Sequence, residues 1–288
     1  MAHSGTLGSV HEVDLPAGTV RYRERGEGPP VVFVHGLLVN ADLWRAVVPA
    51  VAAAGLRCIA PDWPLGSHEV AVPDADLSPP GVADLIAAFL ERLDLSDVTL
   101  VANDTGGAIT QILMTRQSER IGRVVLTPSD SLERFFPPLF APLPVLARVP
   151  GAMWALAQLL RARPAQRLPF TFGWVAKRRI PPDILDSYLL PSRRDPAIRA
   201  DLRRFLRGVH RRHTLAAARS LPAFTKPVLL AWAEDDRLFP VELAHRLAAL
   251  LPGSTLVTVD DCYTFIPEDR PDVLARLVID FAGVRATA

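Results

Sequence analysis

Cysteine is scarce in this chain, and the few cysteines do not form a recognisable pattern. The sequence has 2 of them in 288 residues, Cys58 and Cys262. They lack the close spacing of a metal site and provide no disulfide framework, which is typical of a protein from a reducing compartment. Residues 1–15 also lack a basic stretch followed by an apolar stretch, so we predict no secretory signal and a cytoplasmic location.

A large net charge is also absent, because the sequence has 32 Lys and Arg residues and 31 Asp and Glu residues. This balance gives no general attraction to nucleic acid, and we predict no nucleic-acid partner. Residues 129–222 differ from the rest, with 17 Lys and Arg residues against 6 Asp and Glu residues. Such a segment indicates a separate structural unit with an arginine-rich surface. Attraction to an anionic substrate or to a membrane face is the alternative.

No apolar run is both long and uninterrupted. The most apolar stretch, residues 135–160, contains prolines at positions 137, 138, 142, 144 and 150 and the charge of Arg148. Proline interrupts a helix because it lacks an N–H donor and clashes with the preceding turn. We therefore predict no membrane span here. Two interpretations remain, helices that line a pocket or a surface that contacts lipid or a lipid-like substrate.

Short apolar runs alternate with helical patterns along most of the chain. Runs such as 31–34 and 228–230 are continuously apolar, which is typical of parallel strands buried on both faces. The candidate strands are 19–24, 30–35, 57–61, 97–103, 123–128, 228–233 and 254–260. Their alternation with helices predicts a mostly parallel sheet covered by helices. Strand patterns vanish in residues 129–222, where proline-interrupted helical patterns predict an insertion.

The stretch VANDTGGAITQ at residues 101–111 places Asp104 between a candidate strand and a helical pattern. The small residues Ala102, Gly106 and Gly107 permit a tight turn there, and the first N–H groups of the helix favour negative charge. We interpret Asp104 as a nucleophile or general base at this turn. The alternative is a helix N-cap, since Asp caps helices well without any chemistry.

Two other strand ends predict neighbours for Asp104. His-Gly ends the strand at 30–35, and the N–H group of the following Leu37 can form an oxyanion hole together with that of Thr105. The strand at 228–233 is followed by two acids, of which Asp236 is better spaced than Asp235. Parallel strands end at one edge of a sheet, so these groups are expected to meet there.

The order of these features, His-Gly, then Asn-Asp-Thr-Gly-Gly, then the strand-end acid, resembles the α/β-hydrolase superfamily over nearly the whole chain. An elbow Asp is similar to the branch of haloalkane dehalogenases and epoxide hydrolases. The resemblance implies an α/β-hydrolase fold, with a mostly parallel eight-stranded sheet in residues 1–128 and 223–288 and a helical cap at 129–222. In that branch the carboxylate forms an ester with an electrophilic carbon, and a water activated by His hydrolyses it. The implied protein is a hydrolase that needs no metal or cofactor.

The sequence departs from this family at the base. Family members carry a His in the turn before the last helix, whereas DDCYTFIPEDRP at residues 260–271 has Thr264 in that place. A hydroxyl is a poor general base at neutral pH. Three alternatives remain open. Another histidine acts, with His68 the best placed; or Asp104 transfers protons in an isomerase, cyclase or lyase; or the protein binds a ligand without turnover.

Details of both subfamilies also differ. The usual halide donors are replaced by Leu37 and Thr105, and the insertion has one tyrosine where epoxide hydrolases use two. We predict a small apolar or amphipathic substrate held between core and cap, and a homodimer. The residues expected to line the substrate pocket are His35, Gly36, Asn103 and Tyr188.

Overall fold

The computed structural model describes residues 4–283 and has one eight-stranded sheet at its centre. The strands are β1 (Ser9–Leu15), β2 (Gly18–Arg25), β3 (Pro30–Val34), β4 (Arg57–Pro61), β5 (Val98–Asp104), β6 (Ile121–Ser129), β7 (Val228–Ala233) and β8 (Ser254–Val259). Their order in the sheet is β1-β2-β4-β3-β5-β6-β7-β8. β2 is antiparallel to both of its neighbours, and all other pairs are parallel. The predicted α/β class with a mostly parallel eight-stranded sheet is confirmed.

Helices fill the connections between the strands. They are α1 (Val48–Ala53), α2 (Pro79–Arg92), α3 (Thr105–Arg116), α4 (Leu143–Leu146), α5 (Ala152–Leu159), α6 (Pro182–Arg194), α7 (Pro196–Gly208), α8 (Arg211–Ser220), α9 (Val241–Leu250), α10 (Ile266–Asp269) and α11 (Pro271–Ala282). α2 packs against α3, and α1 packs against α11. Within residues 4–283, none of these helices is long and apolar enough to cross a membrane.

β1 was missing from the candidate strands. It lies at the edge of the sheet, and only Val13 and Leu15 of its seven residues are buried. Val13 pairs with Val20 of β2 in an antiparallel ladder. An edge strand with one short buried stretch has no continuous apolar run, so the pattern that reveals the central strands is absent here.

The strand order changes direction at β3. β4 pairs with one side of β3, whereas β5, the next strand along the chain, pairs with the other side. In open parallel sheets, ligands bind at the carboxyl ends of the strands where the order reverses in this way. The ends of β3 and β5, at Val34 and Asp104, lie at this position.

The long connection from β6 to β7 holds α4 to α8 and contributes no strand to the sheet within the described residues. α6 packs against α7, and α4 and α5 pack against α7 as well. α8 packs against α3, so the end of the helical segment contacts the helices around the sheet. The boundaries of the cap at residues 129 and 222 stay a prediction.

Candidate active site

Asp104 ends β5 and α3 begins directly after it. Its backbone has φ +55° and ψ −132°, a region that residues other than glycine seldom occupy. Such local strain is concentrated at functional sites. The Asp104 side chain makes no capping hydrogen bond to α3, so the geometry does not support the N-cap alternative.

Two glycines make this tight turn possible. A Cβ atom at Gly106 would overlap the carbonyl oxygen of His35, and one at Gly107 would overlap the side chain of Ser129. The first turn of α3 therefore packs directly against the ends of β3 and β6. Only glycine permits these close approaches, of backbone to backbone at Gly106 and of backbone to side chain at Gly107.

The Asp104 carboxylate is held by a backbone N–H group. Leu37 N–H donates to Asp104 Oδ2 at 3.1 Å. Gly36 leaves room for Oδ2, because a Cβ atom at that position would overlap it. One of the two N–H groups predicted to form an oxyanion hole, that of Leu37, thus binds an oxygen of Asp104 itself.

The cavity environment changes the acidity of Asp104. Burial raises its pKa to about 6, although the N–H groups of Thr105 and Leu37 and the Thr105 hydroxyl favour the carboxylate and oppose this rise. At neutral pH the ionised form is therefore the majority, and the protonated form remains accessible. A nucleophile or general base needs this ionised form.

Thr264 lies beside Asp236, as the resemblance implies for a His and its acid. The Thr264 hydroxyl donates to Asp236 Oδ1 at 3.1 Å. The N–H groups of Leu238 and Phe239 donate to the same oxygen, each at 2.7 Å. Asp236 Oδ2 is buried and has no hydrogen-bonding partner among residues 4–283. The acid is thus positioned, but the group beside it is a hydroxyl and not an imidazole.

Asp235 lies apart from this arrangement. Lys177 Nζ donates to Asp235 Oδ2 at 2.8 Å, and about half of the Asp235 side chain is exposed. The same Lys177 forms an ion pair with Asp261. The choice of Asp236 over Asp235 from the spacing therefore agrees with the geometry.

Replacing Asp236 with Asn is expected to change how stability depends on pH. Burial raises the pKa of Asp236 to about 7, and the Phe239 and Leu238 N–H groups and the Thr264 hydroxyl only partly oppose this. The folded chain then binds more protons than the unfolded chain above about pH 4, so stability falls as pH rises to 7. Allowing for partial exposure, we expect Asp236→Asn to raise the free energy of unfolding by about 2 kcal/mol at pH 7.5.

At pH 4 the two proteins are expected to unfold at nearly the same urea concentration, because the carboxyl is protonated in the folded wild type and only about half ionised in the unfolded chain, so little of the penalty remains. Urea unfolding at pH 4 and pH 7.5 measures the difference. An equal difference at both pH values would contradict the raised pKa of Asp236.

Asp104 opens into an apolar cavity of about 80 Å³ between the strand ends and the helical segment. It is lined by Leu37, Leu38, Asp104, Thr105, Phe136, Pro137, Phe140, Leu143, Leu156, Leu160, Phe170, Thr171, Phe172, Val175 and Phe265. Residues 135–160 supply many of these side chains, which confirms the prediction that this stretch lines a pocket. Among residues 4–283, no Lys or Arg lines the cavity, so the geometry does not support the alternative of an anionic substrate. Asp104 is the only ionisable side chain that these residues contribute to the lining.

His35 and Gly36 do not line this cavity. The buried His35 ring accepts a hydrogen bond from Trp63 N–H through Nε2 at 2.8 Å. Its Nδ1 is therefore the protonated nitrogen, and it donates to the carbonyl oxygen of Gly36 at 2.9 Å. His35 thus fixes the loops that follow β3 and β4. The prediction that it contacts substrate is corrected, because both ring nitrogens serve the backbone.

Asn103 and Tyr188 are also absent from the cavity wall. Asn103 Nδ2 donates to Thr127 Oγ1 and to the carbonyl oxygen of Thr264, both at 2.7 Å. This side chain therefore holds the Thr264 loop against the strand ends. The Tyr188 hydroxyl donates to Glu268 Oε1 at 2.9 Å, and the ring is fully buried. Both residues hold neighbouring segments of the chain in place, and neither lines the cavity.

His68 does not replace the missing base. Its Nε2 lies 3.0 Å from Asp201 Oδ2 in α7, and Gly66 N–H donates to its Nδ1 at 3.4 Å. Nδ1 accepts, so Nε2 carries the proton and donates to Asp201. The ring is buried at the contact between its loop and α7 and lines no part of the cavity. The loop after β4 therefore places His68 against α7 of the helical segment and not beside Asp104.

A second buried acid near Asp104 was missed. Asp130 follows β6, and the Thr105 hydroxyl donates to its Oδ2 at 3.2 Å while Phe136 N–H donates to its Oδ1 at 2.7 Å. Burial, followed by the negative charge of Asp104, raises the pKa of Asp130 well above its usual range. Asp130 directly follows a strand that ends at the same edge of the sheet, and this position could have identified it from the sequence.

Clusters suited to a metal ion are not found: among residues 4–283, no group of three or more His, Cys, Asp and Glu side chains is arranged to hold one. Cys58 and Cys262 are both buried and unpaired. Burial raises the pKa of each thiol to about 12. Neither thiol is therefore a competing nucleophile at neutral pH.

Comparison with known proteins gives similarities over almost the full length. The α/β hydrolase fold family matches residues 29–271. Haloalkane dehalogenase 2 of Mycobacterium tuberculosis is 27% identical, in an alignment that covers 94% of this chain and 93% of that protein. The haloalkane dehalogenase of Mesorhizobium japonicum is 28% identical, with 93% and 89% covered. The solved structure of the epoxide hydrolase CorEH without ligand is 18% identical, with a TM-score of 0.81 and 96% and 99% covered, a likeness of fold.

Proposed function

The chain belongs to the α/β-hydrolase fold family, and we propose that it is an enzyme in which Asp104 attacks a small apolar alkyl electrophile, with haloalkanes as the best-fitting class. One observation carries this proposal. Within the described residues 4–283, Asp104 is the only ionisable side chain that lines the apolar cavity, and Leu37 N–H donates to its Oδ2. The fold family predicted from the sequence is confirmed by the match.

In the proposed step, Asp104 Oδ1 forms a bond to the substrate carbon. The carbon–halogen bond breaks, and the halide leaves with the bonding electron pair. The product is an alkyl ester of Asp104. Leu37 and Thr105 N–H groups stabilise negative charge on Oδ2 when water later attacks the ester carbonyl.

The choice of haloalkanes over epoxides rests on what the cavity provides. An opening epoxide needs a proton for its oxygen, and no tyrosine of the described part of the chain lines the cavity. A halide leaves without a proton. Similarity to haloalkane dehalogenases over more than nine-tenths of the chain supports the same choice. Side-chain N–H donors for a departing halide are absent from the lining, so we expect bromide and iodide to leave faster than chloride.

The second half of the reaction lacks its base. Water attack on the ester requires a group that accepts a proton, and Thr264 stands beside Asp236 where the family has His. We therefore propose that the ester of Asp104 forms and is hydrolysed very slowly. The protein then behaves as a single-turnover alkyl acceptor unless an additional base is supplied.

Intact-protein mass spectrometry tests this proposal. Wild type is incubated with short 1-bromoalkanes and 1-iodoalkanes, with terminal epoxides of the same length alongside. We expect a mass gain of one alkyl group with the halides and none with Asp104→Asn. Turnover of halide without an adduct would mean that an unrecognised base exists. Neither adduct nor turnover with any halide would overturn the proposal.

The contact between Thr105 and Asp130 favours a second candidate, proton transfer without a covalent intermediate. Asp104 would remove a proton from a C–H bond beside a carbonyl, and the Thr105 hydroxyl would connect it to Asp130. Exchange of substrate protons in D₂O distinguishes this candidate. Asp130→Asn keeps a neutral group beside Thr105, and we expect it to retain alkylation but to slow proton exchange about tenfold.

Location and assembly also belong to the proposal. We propose that the protein acts in the cytoplasm on a small molecule, since both of its cysteines are unpaired, as is usual in a reducing compartment. A homodimer stays a prediction.

A further inference from the structure

Exposed apolar side chains are concentrated in one part of the helical segment. Among residues 4–283, eight large apolar side chains are exposed, and seven of these lie within residues 145–170. They are Val145, Leu146, Val149, Trp154, Leu159, Leu168 and Phe170. We call these seven residues the cap face. Scattered exposed apolar residues need no explanation, but a concentration of this kind marks an interaction surface.

The stretch that contains the cap face is also basic. Four arginines within the same stretch are exposed, Arg148, Arg161, Arg163 and Arg167. No Asp or Glu occurs between residues 134 and 182. Of these four, Arg163 has an acidic partner, Asp186, at 2.7 Å. The face therefore combines apolar side chains with positive charge that its own segment does not neutralise.

A groove beside the cap face also combines apolar side chains with arginines. Val149 and Trp154 line it together with Arg199, Arg203 and Arg207 of α7. Trp154 is 56% exposed, although a large aromatic ring is normally buried in a globular protein. Arginine beside an exposed aromatic ring is typical of surfaces that insert into the headgroup region of a bilayer.

The cap face and the cavity belong to the same layer of the protein. In α5, Leu156 lines the cavity while Trp154 and Leu159 are exposed. Phe170 does both, since it lines the cavity and is 46% exposed. Phe170 therefore lies between the cavity that holds Asp104 and the cap face.

We propose that the cap face binds bilayers that contain anionic lipid, and that apolar substrate dissolved in the bilayer enters the cavity beside Phe170. A second copy of the chain is a poorer occupant, because two such faces would place unneutralised arginines against each other. Substrate entry depends on the proposed function. Binding to the bilayer does not require Asp104 to react.

Vesicle co-sedimentation of the full chain tests the surface. The vesicles are phosphatidylcholine alone, and phosphatidylcholine with about one-third phosphatidylglycerol, each at low and high salt. We expect binding to the anionic vesicles only, and weaker binding at high salt. Replacing the exposed Arg148, which lies between Leu146 and Val149 of the cap face, by Gln should weaken binding by roughly fivefold. Trp154→Glu should abolish it, whereas Val10→Glu, at the exposed apolar residue outside the face, should have no effect.

Absence of binding to anionic vesicles would overturn the proposal, as would equal loss in Trp154→Glu and Val10→Glu. Self-association of the free chain that Trp154→Glu abolishes would assign the face to a second copy instead. Asp104→Asn should bind vesicles as wild type does. Wild type that binds anionic vesicles but is not alkylated would remove the proposed function alone, whereas wild type that is alkylated but binds no vesicles would remove the bilayer proposal alone.

Discussion

Thr264→His is expected to convert single alkylation into continuous turnover. The substitution places an imidazole where the hydroxyl now donates to Asp236, an acid already fixed by the N–H groups of Leu238 and Phe239. A positioned general base accelerates such a step by about 10²- to 10⁴-fold. We expect halide release to continue beyond one equivalent per protein, at a rate at least about a hundredfold above wild type.

Thr264→Gln is the matched control, because glutamine has a similar size and polarity but accepts no proton at neutral pH. We expect this variant to release one equivalent of halide and stop. If Gln and His variants both turned over, the gain would come from added space or water and not from a base. If the His variant still stopped at one equivalent while folded, Thr264 would not occupy the site of the base.

Gly36→Ala is expected to slow alkylation by about a hundredfold or more. The added Cβ atom would overlap Asp104 Oδ2 and move the carboxylate away from Leu37 N–H. A shift of about 1 Å in a reacting group is enough for an effect of this size. The rate of adduct formation measures it, and thermal unfolding of the same sample separates this effect from loss of fold.

Gly107→Ala is the comparison for that experiment. Its Cβ atom would overlap the Ser129 side chain, so it disturbs the packing of α3 without contacting the Asp104 carboxylate. We expect lower stability and a smaller loss of rate than in Gly36→Ala. Equal losses of rate in both variants would mean that the whole turn is disturbed, and that the position of Oδ2 has no special role.

The positions of Asp104, Leu37, Asp236 and Thr264 were predictable because each lies at the carboxyl end of a strand or within five residues of one. Parallel strands end at one edge, so residues just beyond their ends are neighbours whatever the rest of the chain does. Local spacing alone then selected Asp236 over Asp235. The role of each residue stays a proposal, but the meeting of Thr264 with Asp236 follows from this geometry.

Directions of side chains were harder to predict. Asn103 and Asp104 are adjacent, and successive side chains of a strand point to opposite sides. Asn103 therefore contacts the Thr264 loop while Asp104 opens into the cavity. His68 lies far along a loop, and its partner Asp201 comes from a helix whose position the sequence does not specify. The cavity wall likewise depends on how the helical segment packs.

Mapping the adduct to one residue tests the central claim most directly. Trypsin releases residues 93–116, a peptide that contains Asp94, Asp97 and Asp104. After exposure of wild type to a 1-iodoalkane and digestion at mildly acidic pH, fragmentation locates the added mass. The account predicts one alkyl group on Asp104 alone. An alkyl group on Asp94, Asp97 or a cysteine, or none on this peptide after halide release, would contradict it.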